Sequence, residues 1–399
     1  MRGLCLGIVW LGLAVLGRAQ GLSFGEVLRT VQDQHPSLKA AILRREAAEA
    51  WARGAGSQPN PQVRLSVPYG DPSEEANELV QRIEIGGQPG LRAKIARLQR
   101  DQADARVLSQ QRELGSQAAQ AYFGLWSASE IERLQNQRFD LAEKLRQAAE
   151  RRLKLGAISQ NLYWRTELEQ SQARAEFTAA RAQKIMARQR LNLLLQRPQQ
   201  AEITLPIPND GGLPKPDREK LLAAVEQRPE VRLALLAADI HRHEADLVGR
   251  QRVPDFEFEA YRSSLARGAE QGLRVSLAFP LWDWGQLGAQ REQRAREAEA
   301  AEQDAETRRQ LATQEALAAW ESWQAGAERR DILKGQAERY SKQADLSRRG
   351  FEAGLLNLTE VMEAQRAYRE ALVQLVGAES EFQQRRWEVY WLSGGNLSP

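Results

Sequence analysis

Side chains able to carry chemistry are few in this chain. A metal centre or a general base would have to be built from three histidines, His35, His241 and His243. His241 and His243 lie two apart in a helix-forming stretch, which turns them to different faces and keeps both from reaching one ion. Cys5, the single cysteine, stands at the start of an apolar N-terminal run, and beyond that run the only methionines are Met186 and Met362, so soft-metal ligands are lacking. There is no glycine-rich phosphate loop and no nucleophile beside a histidine, so neither catalysis nor a cofactor is expected. Glu360 and Glu363, three apart on a helix, read by themselves as a solvated face. Trp282 and Trp284 end an alternating apolar stretch, and aromatics at strand ends suit a membrane–water interface.

The elements that would position these residues follow from composition and pattern. The chain has 399 residues with 56 basic and 53 acidic side chains. Both signs are interleaved along its length, which is not a nucleic-acid footprint. Residues 1–19 combine Arg2, an uncharged apolar run from Leu4 to Leu16 and small residues at Gly17 and Ala19, the pattern of a secretory signal peptide. Its removal leaves 54 basic against 53 acidic residues and no thiol, so packing or assembly must hold an exported chain together. Beyond it the longest uncharged run, Leu114 to Ser129, has sixteen residues including Gln and Ser, too short and too polar for a membrane helix. A membrane crossing would have to be made by strands.

The chain repeats itself. Gln34-His35-Pro36 matches Gln227-Arg228-Pro229, and Pro61 matches Pro254, at an offset of 193, while Arg151 and Gly156 match Arg349 and Gly354 at an offset of 198. The expected organisation is a first structural repeat at 20–196, a linker at 197–216, a second repeat at 217–393 and a tail at 394–399. The linker holds five of the fifteen prolines and the turn Asp210-Gly211-Gly212. Each copy predicts a helix broken at its proline, two short strands, a very long helix and a shorter return helix. In the first copy Val63, Leu65, Val67 and Tyr69 alternate with polar residues, and after a turn at Gly70 to Ser73 Leu79, Ile83 and Ile85 share a parity. In the second, Phe256 and Phe258, then Leu273, Val275, Leu277, Phe279 and Leu281, do the same. The long helices are expected at about Leu91 to Lys154 and Gly288 to Ala353. The return helices carry heptad seams rich in alanine, such as Ala173, Ala180 and Ala187, then Ala364, Ala371 and Ala378.

Four strands cannot close a barrel, and an open sheet in lipid leaves two edges of unsatisfied backbone groups. A dimer with eight strands is the geometric minimum, and a trimer gives twelve with a wider interior. Arg64, Glu257 and Glu259 fall on the polar parity and suit a wet lumen.

This order of elements, with the segment Gly354-Leu355-Leu356-Asn357-Leu358-Thr359-Glu360-Val361-Met362-Glu363-Ala364-Gln365, resembles the TolC family of outer-membrane efflux proteins over essentially the whole mature chain. Pro59-Asn60-Pro61 and Ile83-Glu84-Ile85-Gly86-Gly87 are most similar to the subfamily associated with heavy-metal and cation efflux. The resemblance implies a mainly α fold with transmembrane β. It implies a homotrimer whose twelve-stranded barrel in the outer membrane continues as a long periplasmic α-helical barrel. It implies a passive exit duct that meets outer-membrane lipid and docks a periplasmic adaptor and an inner-membrane pump. It further implies that Gly156 and Gly354 form the periplasmic tip turns where the adaptor docks, and that Glu360 and Glu363 constrict the pore. Leu162 and Leu356 depart from the family pattern, standing where acidic or polar and basic residues are found, which puts an ion-pair latch between the copies in doubt. The helices alone also fit a secreted coiled coil that tethers partners, a reading that leaves the strands unexplained, and the duplication argues against a periplasmic adaptor.

Overall fold

The computed structural model describes residues 21–65, 75–208, 213–265, 268–278, 282, 284–353 and 355–395. The apolar N-terminal run, the turn at Gly70 to Ser73, Asp210-Gly211-Gly212, Phe279, Leu281 and Gly354 lie outside the described residues.

Helix α1 (Phe24–Gln34) opens on a reciprocal capping box in which the Glu26 carboxylate accepts from Ser23 N–H at 2.7 Å and Ser23 Oγ accepts from Glu26 N–H at 3.4 Å. Pro36 stops it, because the residue before a proline is driven out of helical geometry, and His35 adopts φ −67°, ψ 126°. The proline then starts α2 (Pro36–Gly54) at a position where its missing N–H costs nothing. Strands β1 (Gln62–Leu65) and β2 (Glu75–Glu84) lead to α3 (Gln88–Lys154), and α4 (Gln160–Leu194) returns. The second half repeats this with α5 (Arg218–Ala223), a 3₁₀ turn (Val225–Gln227), α6 (Pro229–Arg250), β3 (Asp255–Leu265), β4 (Gly268–Ala278), α7 (Gln286–Glu352) and α8 (Leu358–Leu392). Where the first copy has one eleven-residue helix, the second has a six-residue helix and a 3₁₀ turn. Helices α3 and α7 each contain 67 residues, about 100 Å at the helical rise. Both begin just after a left-handed glycine, Gly87 and Gly285, each with φ +84°, which lets the chain turn sharply from strand to helix. No helix among the described residues is long and apolar enough to cross a membrane.

The described strands form one antiparallel sheet in the order β1-β2-β3-β4. The two hairpins join through β2 and β3, with Ile83 opposite Phe256 and Leu79 opposite Ala260. That register places Val63, Leu79, Phe256, Phe258, Leu273, Val275 and Leu277 on one face, all of them exposed. The opposite face is tied by charge: Arg64 to Glu78 at 3.5 Å, Arg82 to Asp255 at 2.5 Å and Arg274 to Glu259 at 3.1 Å.

The packed core lies midway along the long helices. Phe24 meets Tyr122 and Trp387 with ring centroids 5.3 and 4.7 Å apart, and Tyr122 donates its hydroxyl to Leu22 O at 3.2 Å. Burial pushes the Tyr122 hydroxyl up to about 12. A smaller cluster gathers Leu221, Val225, Val231, Ala316 and Val389, with Trp320 and Trp323 against it. The end of α8 serves both, sending Trp387 and Trp391 into the first core and Val389 into the second. The proline-rich stretch is no loose connection, since Ile203, Leu205 and Leu213 pack on the first core and Leu22 N–H donates to Thr204 O at 2.9 Å. The alanine seams are buried at Ala173, Ala180, Ala364, Ala371 and Ala378. Lys184, a charged member of the α4 seam, instead reaches Glu132 of α3 at 3.2 Å.

Candidate pore gate and helical tips

The first tip is a Schellman motif. Gly156 takes φ +70°, its N–H donates to Leu153 O at 2.9 Å, and Ala157 N–H donates to Arg152 O at 2.9 Å. Ser159 then caps α4, accepting from Leu162 N–H at 3.3 Å. At the second tip Gly354 lies outside the described residues, and Leu355 and Leu356 N–H both donate to Gly350 O, at 2.8 and 3.3 Å. Asn357, the counterpart of Ser159, caps α8. Each tip presents a bare leucine, Leu155 at 82% and Leu355 at 80% exposure.

Glu360 is the third residue of α8 and completes its capping box: the carboxylate accepts from Asn357 N–H at 2.9 Å, and Asn357 Oδ1 accepts from Glu360 N–H at 3.0 Å. Its counterpart in the first copy is Leu162, so α4 has half a box. Glu363 follows one turn later on the same face, and both glutamates are exposed. The exposed stripe continues through Arg366, Glu370, Gln374 and Glu381, four carboxylates against one guanidinium along one side of the helix. The Asn-x-x-Glu spacing that makes the capping box is legible in the sequence; the stripe emerges only once the packed side of α8 is known.

Above the tips a charged cluster brings side chains of both copies together, one that sequence reasoning missed. Arg138 of α3 donates to Glu169 at 2.8 Å and to Glu176, both on α4. Arg369 of α8 faces the same group, and burial, helped by the like charge of Arg138, pulls its guanidinium below the ordinary arginine value. Arg138, Glu169, Arg366 and Arg369 line a cavity of about 330 Å³ between the hairpins. Leu162 and Leu356 carry no charge for a latch at the tips, and this cluster lies deeper in the hairpins, with its ion pairs inside the first copy and Arg369 of the second copy beside them. Removing the buried partner strands two carboxylates, so Arg138→Leu is expected to destabilise the α3/α4 hairpin by about 2 kcal/mol, discounted for the part-exposed glutamates. Urea unfolding followed by circular dichroism measures this; an unchanged midpoint contradicts it.

Trp282 and Trp284 stand between β4 and α7, at 69% and 92% exposure, and Trp284 holds a left-handed φ of +49°. They follow the end of β4 and precede α7, at the end of that helix opposite the tip. His241 contacts Glu244 at 3.2 Å and His243 lies 3.6 Å from Asp246, separate pairings on α6, and no cluster able to hold a metal ion occurs among the described residues.

A family model described as outer membrane efflux protein matches residues 27–196 and 221–395. The cobalt-zinc-cadmium resistance protein CzcC of Cupriavidus metallidurans is 28% identical over 352 residues, covering 86% of this chain and 82% of that protein. Among solved structures, the CmeC outer membrane channel of Campylobacter jejuni superposes with a TM-score of 0.81 at 14% identity, covering 93% of this chain and 85% of CmeC. The open state of the MtrE outer membrane channel of Neisseria gonorrhoeae gives 0.77 at 16% identity, covering 94% and 89%.

Proposed function

Because the chain belongs to the outer membrane efflux protein family, we propose that three copies close one barrel and one helical tunnel, docked at the Gly156 and Gly354 tips to a periplasmic adaptor and through it to an inner-membrane pump. The protein is an outer-membrane exit duct of an efflux system, reaching into the periplasm. The observation that carries the proposal is the open sheet: among the described residues β1 and β4 each have one unpaired edge, and such edges are untenable in lipid unless neighbouring copies pair them. A second feature supports it. Trp164, Leu168, Met186 and Leu193 leave α4 with exposed apolar positions, which a neighbouring copy's helices would cover. Native mass spectrometry of the detergent-extracted protein is expected to show a trimer, and a monodisperse monomer with intact strand content overturns this reading.

Metal cations are the proposed cargo, supported by the relative named for cobalt, zinc and cadmium resistance and by the acidic stripe of α8. The tips are proposed as the docking end, since each joins a full-length helix to its return partner. Valine at the left-handed Gly156 costs about 1–2 kcal/mol, and the double change Gly156→Val, Gly354→Val is expected to abolish metal export while the trimer stays in the outer membrane. Unchanged adaptor cross-linking and unchanged export count against tip docking.

A further inference from the structure

The N-termini of α2 and α6 are equivalent in the two copies, and each opens on a proline. In α2 the residue before the proline caps the helix, with His35 Nδ1 accepting from Ser37 N–H at 3.4 Å. In α6 that residue is Arg228, which can only donate, and no side-chain cap bond forms. Arg228 is nevertheless 1% exposed. Its Nη1 donates to Glu315 at a long 3.4 Å, and the Glu315 side chain is itself 70% exposed. Nε and Nη2 of Arg228 are buried without a hydrogen-bond partner, as is Nη1 of Arg112 on α3. Glu230, in the first turn of α6, acts on both guanidiniums but is exposed. Burial pulls both arginines below their ordinary value, and Arg112 adds to the pull on Arg228.

A guanidinium keeps its charge in a protein, so the positive potential at this point has three sources: Arg112, Arg228 and the uncapped amide end of a 22-residue helix. We propose that the junction of Arg112, Arg228 and the N-terminus of α6 binds a small inorganic anion of the size of chloride. Near-complete burial requires the ion to enter dehydrated, which a monovalent halide does at far lower cost than a multiply charged oxyanion. A water molecule would satisfy donors but add no negative charge beside two guanidiniums whose carboxylate partners, Glu315 and Glu230, are both exposed to solvent. The bound anion would do for the second copy what His35 does for the first, closing a helix start, while tying α3 of one copy to α6 and α7 of the other.

The full-length protein in detergent is unfolded with urea in sodium chloride and, at equal ionic strength, in sodium isethionate, whose anion is far larger than chloride. Chloride is expected to stabilise saturably; at ten times its dissociation constant the unfolding constant falls about elevenfold. Arg228→His, which installs the cap of the first copy, should lose that dependence, and Arg112→Gln, a milder change, should weaken chloride binding at least about tenfold, the equivalent of roughly 1.4 kcal/mol. Crystals grown in bromide should show an anomalous peak between the two guanidiniums. Identical curves in the two salts, chloride dependence that persists in Arg228→His or Arg112→Gln, or water at the bromide position overturns the proposal.

Discussion

Leu273→Arg is expected to prevent assembly in the outer membrane. Leu273 is 85% exposed on the apolar sheet face, mid-strand in β4, where a closed barrel meets lipid. An arginine on the lipid face near the bilayer midplane costs about 2–4 kcal/mol, and threefold repetition brings the penalty to about 6–12 kcal/mol for the assembly. That is comparable with the whole stability of a typical domain. Ser276→Arg supplies the control. Ser276 stands opposite Glu257 on the polar face, where a new cation meets water and a carboxylate, so the trimer should persist. The measurement is the heat-modifiable trimer band in outer-membrane fractions; equal amounts for the two variants would mean that the apolar face does not contact lipid.

The second large effect concerns ion passage. Two carboxylates per chain become six around a threefold axis if Glu360 and Glu363 line the narrowest point, and rings of this kind confer cation selectivity. Replacing Glu360 with alanine confounds charge with the loss of the α8 capping box, whereas glutamine keeps an acceptor for Asn357 N–H. The informative variant is therefore Glu360→Gln, Glu363→Gln. Reconstituted in planar bilayers, it is expected to lose its cation preference and to need at least about tenfold more of a trivalent cation for block. Retained selectivity would return both glutamates to an ordinary solvated helix face, with Glu360 serving only its own helix.

Much of this architecture is legible residue by residue. Ser23 with Glu26, Pro36, Pro229, Gly156 and Asn357 mark helix boundaries through local geometry, and local geometry needs no partner to act. The alternation at Val63 and Leu65 and at Leu273, Val275 and Leu277 marks strands with two different faces for the same reason. Contacts distant in sequence have no such signature. Nothing around Gln227-Arg228-Pro229 distinguishes a buried guanidinium from a surface one. Nothing near Arg138 shows that Glu169, Glu176 and Arg369 converge on it from two other helices. The proline-rich stretch reads as a connection, yet Ile203 and Leu205 pack against a core that also draws Phe24, Tyr122 and Trp387 from far away in the chain.

The sequence by itself determined the duplicated order of elements, the lengths of the long helices, the parity of the strands and the tip glycine of the first copy, because periodicity, capping and backbone sterics act within a few residues. Only the tertiary structure decided that β2 pairs with β3 to join the two hairpins, that the end of α8 serves both cores, and that Glu360 folds back on Asn357 while charged side chains meet deeper between the hairpins. Those outcomes depend on which amphipathic faces find each other and on where burial leaves a charge, and both are set by the packing of whole helices rather than by any segment alone.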